Sequence, residues 1–166
     1  MSITPTSSYI IRFSDCDLFG HLNNARYIDY FLNAREDHLK NYHDLNLADY
    51  YQNNKAWVVG GHEIAYLRPA VYNEIVIIQS TLLLATFDSL VVETQMKNEN
   101  QNHLKAIMRT RFVPINTKTG RREPHESSFL AWAKTIENRG IAHYETLQER
   151  IKQLQASSLR RDTTPS

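Results

Sequence analysis

The sequence has very little cysteine and no long apolar run. Cys16 is the only cysteine among the 166 residues, so an internal disulfide is impossible. A chain without disulfides is typical of a reducing compartment, and we expect a cytoplasmic location. A membrane-spanning helix needs about 18 consecutive apolar residues, so we expect no membrane span. The opening residues also lack the basic and apolar segments of a secretory signal.

An excess of charge of one sign is also missing. Nineteen lysines and arginines oppose 18 aspartates and glutamates, which leaves a net charge of +1. Non-specific nucleic-acid binding depends on many unopposed cations, so we expect no nucleic-acid partner. The length fits a single domain, and the 42% hydrophobic fraction is that of an ordinary globular protein.

Patterns of metal ligands are missing as well. The seven histidines show no H-x-x-x-H spacing, and a lone cysteine supplies no thiolate pair, so we expect no metal site. Cys16 lies between Asp15 and Asp17, whose negative charges disfavour its thiolate. We therefore interpret Cys16 as an inert small residue rather than a nucleophile.

The N-terminal part predicts a strand, a polar loop and a helix. A β-prone run over residues 8–13 precedes the turn formers of residues 14–24. Asn23 or Asn24 can cap the helix that follows. A broad apolar stripe predicts that the first half of this helix is buried, whereas charged residues in its last turns predict a solvated end. Those charged residues are Arg35, Glu36, Asp37 and Lys40.

Four further strands are predicted by segments that alternate between apolar and polar residues and are rich in β-branched side chains. They are Trp57–Leu67, Glu74–Thr86, Leu90–Lys97 and Leu104–Ile115. Because the joints between them are short, we expect successive strands to pair antiparallel, as a four-stranded meander. One long apolar helix against one antiparallel sheet is an α+β fold in which the sheet wraps around the helix.

The C-terminal part predicts helices and a tail. Residues 124–136 predict a short helix, and residues 141–156 predict another, with apolar residues three and four apart. We expect this second helix to pack on its own domain rather than on a partner. Residues 157–166 predict a disordered tail. The compact domain is thus expected to span residues 8–136, with 141–156 as a helical extension.

The densest cluster of polar residues lies between the first strand and the long helix. It consists of Asp15, Asp17, His21, Asn23 and Asn24. These residue types also favour turns and helix caps, so composition alone allows a purely structural role. The position favours chemistry, because free amides at a helix N-terminus stabilise a developing oxyanion. A carboxylate beside them can attack a carbonyl or deprotonate water.

This segment resembles a family signature. The run RFSDCDLFGHLNNARYIDYF resembles that of the 4-hydroxybenzoyl-CoA thioesterase-like branch of the hotdog-fold superfamily. The matching positions are Phe13, Asp15, Asp17, Gly20, His21, Asn23, Asn24 and Tyr27. YLRPA at Tyr66–Ala70 and NTKTGRREP at Asn116–Pro124 resemble later turns of the family. The resemblance implies the hotdog fold, an antiparallel sheet wrapped around a long central helix, here with extra C-terminal helices.

The resemblance also implies an acyl-CoA thioesterase that needs no cofactor. Asp17 matches the catalytic carboxylate, which acts as a nucleophile or as a general base on water. The backbone amide of Asn24 matches the group that polarises the thioester carbonyl. His21 either shapes the site and fixes Asp17 or transfers protons, and we favour the first role. Further substrate contacts are expected from Gly20, Asn23 and Tyr27.

Hotdog sites are usually built between two subunits, so the resemblance implies a homodimer or a homotetramer. Gly60 and Gly61 predict a bulge or a close approach in a strand that commonly pairs across the dimer. The phosphates of CoA require cations near the site, although each candidate is equally consistent with a solvated surface. The candidates are Arg68, Lys97, Arg109, Arg111, Arg121 and Arg122.

Other functions remain open at this point. A thioesterase for acyl-carrier protein and a hydratase share the fold, although GHLNNARY does not resemble the hydratase motif. A non-catalytic acyl-binding protein that uses the C-terminal helix is the alternative from another class. The intact Asp17 counts against it.

Overall fold

The structure, a computed structural model, describes residues 2–162, the last two through their backbone alone. Five strands form one antiparallel sheet in the order β1-β3-β4-β5-β2. The strands are β1 (Thr6–Ile10), β2 (Lys55–Tyr66), β3 (Ile75–Ala85), β4 (Leu90–Asn98) and β5 (Leu104–Asn116). The helices are α1 (Arg26–His43), α2 (Leu47–Gln52), α3 (Ser127–Thr135) and α4 (Leu147–Asp162).

The sheet wraps around α1, as the sequence predicts. Phe31 and Ala34 on the helix are fully buried against apolar side chains of the strands. Since successive side chains of a strand alternate between its two faces, every second residue of the central strands faces this helix. The core residues contributed by the sheet include Val76, Ile78, Met96, Ala106 and Met108. The α+β prediction is therefore confirmed.

The strand order corrects the predicted meander. β3, β4 and β5 do follow one another, but β2 pairs with β5 over its whole length and not with β3. The connection of residues 67–74 is short, yet its backbone groups bond to the loop before α1 instead of closing a hairpin. Leu22 N donates to Ala70 O, and Tyr72 N donates to Gly20 O, both at 2.8 Å. This crossing segment, residues 67–74, thereby becomes a wall beside the polar loop.

β2 forms one edge of the sheet, with no strand of the described chain on its outer side. The predicted irregularity at the two glycines is a β-bulge between Val59 and Gly61. A Cβ at Gly60 would approach a guanidinium nitrogen of Arg111 to 2.7 Å, so this glycine lets that side chain cross the strand. Val58 and Val59 remain exposed along the edge.

The second half of α1 is less solvated than the sequence predicts. Arg35 and His38 are 7% and 0% exposed, whereas Glu36 and Lys40 face solvent as expected. The prediction for Arg35 was wrong because α1 is long enough for its last turns to pack on β1 and β3. Serines at these contacts supply hydrogen bonds for the buried polar groups.

A chain of hydrogen bonds runs from Arg35 through His38. Arg35 donates to Ser80 Oγ at 2.9 Å, and Ser80 Oγ lies 2.7 Å from His38 Nδ1. His38 Nε2 lies 2.8 Å from Ser7 Oγ. Ser7 Oγ donates its only proton to the Tyr9 hydroxyl, so it must accept from Nε2–H of His38. In the neutral ring Nδ1 is then the acceptor, and it accepts from Ser80 Oγ. The chain ends with Ser7 Oγ donating to Tyr9, whose hydroxyl donates to Asp37 Oδ2.

Acid is expected to destabilise the fold through His38. Burial, helped by the positive charge of Arg35, lowers its pKa from 6.5 to about 4. The folded protein therefore holds His38 neutral. The contribution of the neutral ring to stability is complete above 6.5, the pKa of histidine in the unfolded chain, and it is lost as the pH falls towards 4. At pH 5 the loss amounts to about 2 kcal/mol. Urea titrations near neutrality and at pH 5 measure it, with His38→Gln as the non-titrating control. Equal acid-induced losses in the two proteins would contradict this assignment.

The C-terminal helix packs on the outer face of the sheet. Its Leu147 is buried, and its Arg150 Nε donates to Glu93 of β4 at 3.1 Å. This agrees with the prediction that the helix packs on its own domain. Its bounds differ, because it begins six residues after 141 and extends through 157–162, which were predicted to lie in the tail. Residues 163–166 of that predicted tail lie outside the described residues.

Candidate active site

The loop before α1 folds around Asp17. Asp17 N donates to His21 O at 2.8 Å, and Gly20 N donates to Asp17 O at 3.1 Å. Gly20 has φ of +73°, a conformation that a residue with a Cβ adopts only at a cost. The sequence D-x-x-G therefore produces a tight turn, and Gly20 belongs to it through its backbone.

The carboxylate of Asp17 is held by one of its oxygens and free at the other. Oδ1 accepts from Phe19 N at 2.9 Å and from His21 N at 3.0 Å. Among the described residues, no donor contacts Oδ2. The two hydrogen bonds from backbone amides fix the side-chain rotamer of Asp17, so its Oδ2 has one orientation. The loop thus positions a carboxylate oxygen that is available for chemistry.

His21 holds Asp17 through its backbone rather than its imidazole. The ring is exposed and makes no hydrogen bond to the described residues, whereas the amide and the carbonyl of His21 both bond to Asp17. This supports the role that we favour from the sequence, fixing Asp17.

Asp15 orders the loop. Its Oδ2 accepts from the hydroxyl of Tyr30 at 2.7 Å, and its carbonyl accepts from Asn23 N at 2.9 Å. Burial and the bond to Asp15 raise the pKa of Tyr30 to about 12, so the hydroxyl remains a donor at physiological pH. The bond from Tyr30 ties the loop to α1, and the bond from Asn23 N closes the loop on itself.

The start of α1 differs slightly from the predicted cap. The helix begins at Arg26, and the residue at its N-cap position is Ala25, without a side-chain bond. Asn23 acts one step earlier, because its Oδ1 accepts from Ala25 N at 3.1 Å and its carbonyl accepts from Arg26 N at 2.8 Å. A short turn thus precedes the helix, and its Asn23 accepts hydrogen bonds from the backbone amides of Ala25 and Arg26. The Asn24 amide forms no hydrogen bond with any described residue.

Two tyrosines connect the start of α1 to the end of β2 and to the crossing segment. The Tyr66 hydroxyl donates to Asn24 O at 2.8 Å. The buried hydroxyl of Tyr27 accepts from Ala70 N at 3.0 Å. The two rings pack edge to face with their centroids 5.1 Å apart. Sequence reasoning missed Tyr66 as a site residue, since only its place in YLRPA marked it.

These elements enclose a cavity of about 530 Å³. Its lining combines the loop, the first turn of α1 and the crossing segment. The lining residues are Asp17, His21, Leu22, Asn23, Asn24, Tyr27, Tyr66, Leu67, Arg68 and Pro69. Of the predicted site residues, Gly20 alone does not line it. The hydroxyl of Tyr27 already accepts from Ala70 N, and no described residue accepts its proton.

Two of the candidate cations for phosphate binding, Arg68 and Arg109, lie in opposite environments. Arg68 is exposed and lines this cavity. Arg109 is buried and bonds to Glu93 at 3.2 Å, so it is unavailable to a ligand. The structure thereby favours Arg68 over Arg109.

Cys16 fits the inert role that was predicted for it. Burial and the charges of Asp15 and Asp17 raise the pKa of its thiol.

Over residues 2–162, no group of three or more histidine, cysteine, aspartate or glutamate side chains is arranged to hold a metal ion. Within the same range, no helix combines the length and the apolar composition needed to cross a membrane.

This chain is similar in sequence to known thioesterases. The family model of the thioesterase-like superfamily matches residues 11–133. The long-chain acyl-CoA thioesterase FadM of Escherichia coli is 32% identical over 113 residues, which cover 66% of this chain and 81% of that protein.

Solved structures share the fold at lower identity. The 1,4-dihydroxy-2-naphthoyl-CoA thioesterase of Synechocystis is 17% identical with a TM-score of 0.70, and the match covers 79% of this chain and 96% of that chain. The DHNA-CoA thioesterase of Staphylococcus aureus is 17% identical with a TM-score of 0.72, and covers 98% of this chain and 97% of that chain.

Proposed function

The chain belongs to the thioesterase-like superfamily, has the hotdog fold and is a thioester hydrolase, and we propose that it converts acyl-CoA to a free acid and CoA with Asp17 as the reacting carboxylate. One observation carries the proposal. Asp17 lines a cavity at the start of α1, its Oδ1 is held by two backbone amides, and its Oδ2 accepts no hydrogen bond from the described residues.

Hydrolysis with Asp17 as a general base needs a water molecule between Oδ2 and the thioester. Oδ2 accepts a proton from this water while the water oxygen bonds to the carbonyl carbon. The tetrahedral intermediate then collapses, the carbon–sulfur bond breaks, and CoA leaves as a thiolate. A proton returned from Asp17 to the sulfur or to solvent restores the carboxylate.

Asp17 can instead act as the nucleophile. Oδ2 then bonds to the carbonyl carbon, CoA leaves as a thiolate, and water hydrolyses the resulting acyl–Asp17 anhydride. Rapid acid quenching followed by mass spectrometry separates the two routes. An acyl group on the peptide that contains Asp17 supports the nucleophilic route, and its absence during turnover supports the general base.

The backbone N–H of Asn24 is the proposed hydrogen-bond donor to the oxyanion. It lies in the turn that leads into α1, it bonds to no described residue, and the helix dipole adds positive potential there. Asn23 Oδ1 and the Tyr66 hydroxyl restrain this turn through Ala25 N and Asn24 O. Tyr66 is therefore a positioning residue, since it acts through Asn24.

Replacing Tyr66 with phenylalanine is expected to lower kcat by about tenfold and to change KM little. The variant keeps the ring contact with Tyr27 but loses the bond to Asn24 O, so the donor is less well aligned in the transition state. Tyr72→Phe is a matched control, because its exposed hydroxyl is outside the cavity. Steady-state kinetics measure both parameters, and a pure KM effect in Tyr66→Phe would contradict the positioning role.

Each active unit is proposed to contain two copies of the chain, which form either a homodimer or one half of a homotetramer. No strand of the described chain pairs with the outer side of β2, and Val58 and Val59 are 44% and 41% exposed along this edge. The C-terminal end of this strand at Tyr66 reaches the cavity. Antiparallel pairing of two β2 edges would bring a second subunit beside each site.

Arg68 is the proposed cation for the phosphates of CoA, since it is exposed at the cavity and bound to no carboxylate of the described chain. A cytoplasmic enzyme is consistent with the single cysteine. FadM, the relative that shares 32% identity, acts on long-chain acyl-CoA, and long acyl chains are therefore the first to test.

Thiol release from a panel of acyl-CoA thioesters of increasing chain length tests the proposed activity. We expect turnover of at least one length class and formation of free acid and CoA in equal amounts. Activity on acyl-carrier-protein thioesters alone would favour the carrier-protein alternative. Hydration of an enoyl-CoA without thiol release would favour a hydratase, and inert protein that still binds acyl-CoA would indicate a non-catalytic binding role.

A further inference from the structure

A second cavity lies at the other end of α1. It has a volume of about 260 Å³ and is bounded by the second half of α1, by α2, by α3 and by the sheet. Its walls are mainly apolar, with contributions from Leu39, Leu45, Leu82, Val92 and Trp132. No residue lines both this cavity and the Asp17 cavity.

Three charged residues line this cavity, and Arg35 is the buried one, whereas Glu36 is exposed and Lys55 is paired with Glu126. Arg35 is 7% exposed. Its one hydrogen bond to the described residues is the donation to Ser80 Oγ. No carboxylate of the described chain forms an ion pair with it. Burial lowers its pKa to about 10, so the guanidinium stays charged near neutral pH.

A buried cation without an anion is an unusual arrangement. Leaving a buried charge uncompensated is strongly destabilising. The nearest anion along the hydrogen-bond chain, Asp37, is separated from Arg35 by Ser80, His38, Ser7 and Tyr9. Four of the five N–H donors of the guanidinium remain for another partner.

We propose that this cavity binds an amphipathic monocarboxylate, whose hydrocarbon tail fills the apolar space and whose carboxylate bonds to Arg35. The planar guanidinium matches a carboxylate through two parallel hydrogen bonds. An apolar cavity of about 150 Å³ accommodates benzene, so in proportion this one accommodates about ten carbon atoms. Medium-chain alkanoates are therefore the chemical class that fits both its size and its charge.

Tryptophan fluorescence gives a direct readout of this cavity. Trp57 and Trp132 both line it, and they are the two tryptophans of the chain. Titration with sodium decanoate is expected to change the emission, and 1-decanol should bind at least tenfold more weakly because it lacks the charge. Equal affinities for the acid and the alcohol, or no response to decanoate, would overturn the proposal.

Variants separate the charge from the apolar space. Arg35→Met should remove the preference for acid over alcohol, whereas Arg139→Met, an exposed arginine outside the cavity, should retain it. Ala133→Leu fills part of the cavity and should weaken both ligands. Persistence of the acid preference in Arg35→Met would overturn the proposal. If Arg35→Met does not fold, Arg35→Lys should reduce the preference while keeping the charge, and an undiminished preference there would contradict bidentate binding.

The site also has to be independent of catalysis. Asp17→Asn leaves every residue of this cavity in place, so its affinity for decanoate should equal that of the wild type. A changed affinity for decanoate in Asp17→Asn would mean that decanoate binds in the Asp17 cavity, where loss of the negative charge should strengthen its binding, and the proposal would fail even though the proposed activity would stand.

Discussion

Asp17→Asn is expected to lower kcat for acyl-CoA hydrolysis by about 10²–10⁴-fold, the range for loss of a positioned acid–base group. The asparagine carbonyl can still accept from Phe19 N and His21 N, so the loop keeps its conformation. The amide nitrogen that replaces Oδ2 can neither attack a carbonyl nor accept a proton from water. The substitution therefore removes the chemistry with little change in structure.

Asp15→Asn is the matched control for this experiment. It changes a carboxylate two residues away, and its amide oxygen can still accept from the Tyr30 hydroxyl. We expect its kcat to remain within about tenfold of the wild type, because Asp15 only supports the loop. Thiol release and thermal unfolding should be measured on both variants. A fully active Asp17→Asn enzyme would rule out the mechanism in both of its forms.

Glu93→Gln is expected to destabilise the fold by about 3–5 kcal/mol, since it leaves the buried Arg109 and the partly buried Arg150 without their shared anion. Glu93 is 1% exposed, and its carboxylate accepts from Arg109 at 3.2 Å and from Arg150 at 3.1 Å. Arg109 also donates to the carbonyl of Glu145 at 2.6 Å. One carboxylate thus joins β4, β5 and the segment that leads into α4. For a chain of this size the melting temperature should fall by roughly 10 °C.

Arg150→Met tests whether the charge balance is the cause. It removes one of the two cations and leaves the Glu93–Arg109 pair with no net charge. Its destabilisation should therefore be less than half that of Glu93→Gln. Chemical denaturation measures the free energy of unfolding, and amide exchange in α4 reports its release. Equal losses in the two variants would show that packing, rather than the unpaired cations, dominates.

The sequence by itself determined the local structure and the chemical centre. Period-two patterns predicted β2 to β5 within a few residues of their observed bounds, because each pattern depends only on neighbouring side chains. The turn formers around Asp17 and Gly20 predicted a tight loop before a buried helix, and the structure has that loop. A spacing of a few residues is enough to bring Asp17, His21 and Asn24 to one cavity.

Only the tertiary structure decided which distant groups meet. The pairing of β2 with β5, and the position of Tyr66 against Asn24, depend on where the crossing segment runs, which no local pattern encodes. Arg35 and Glu93 look like surface charges in the sequence, yet both are buried. A charged residue is buried or solvated according to what packs on it and which partners it finds there. That information lies in contacts between residues far apart in the chain, and it becomes available only when the sheet has closed around α1.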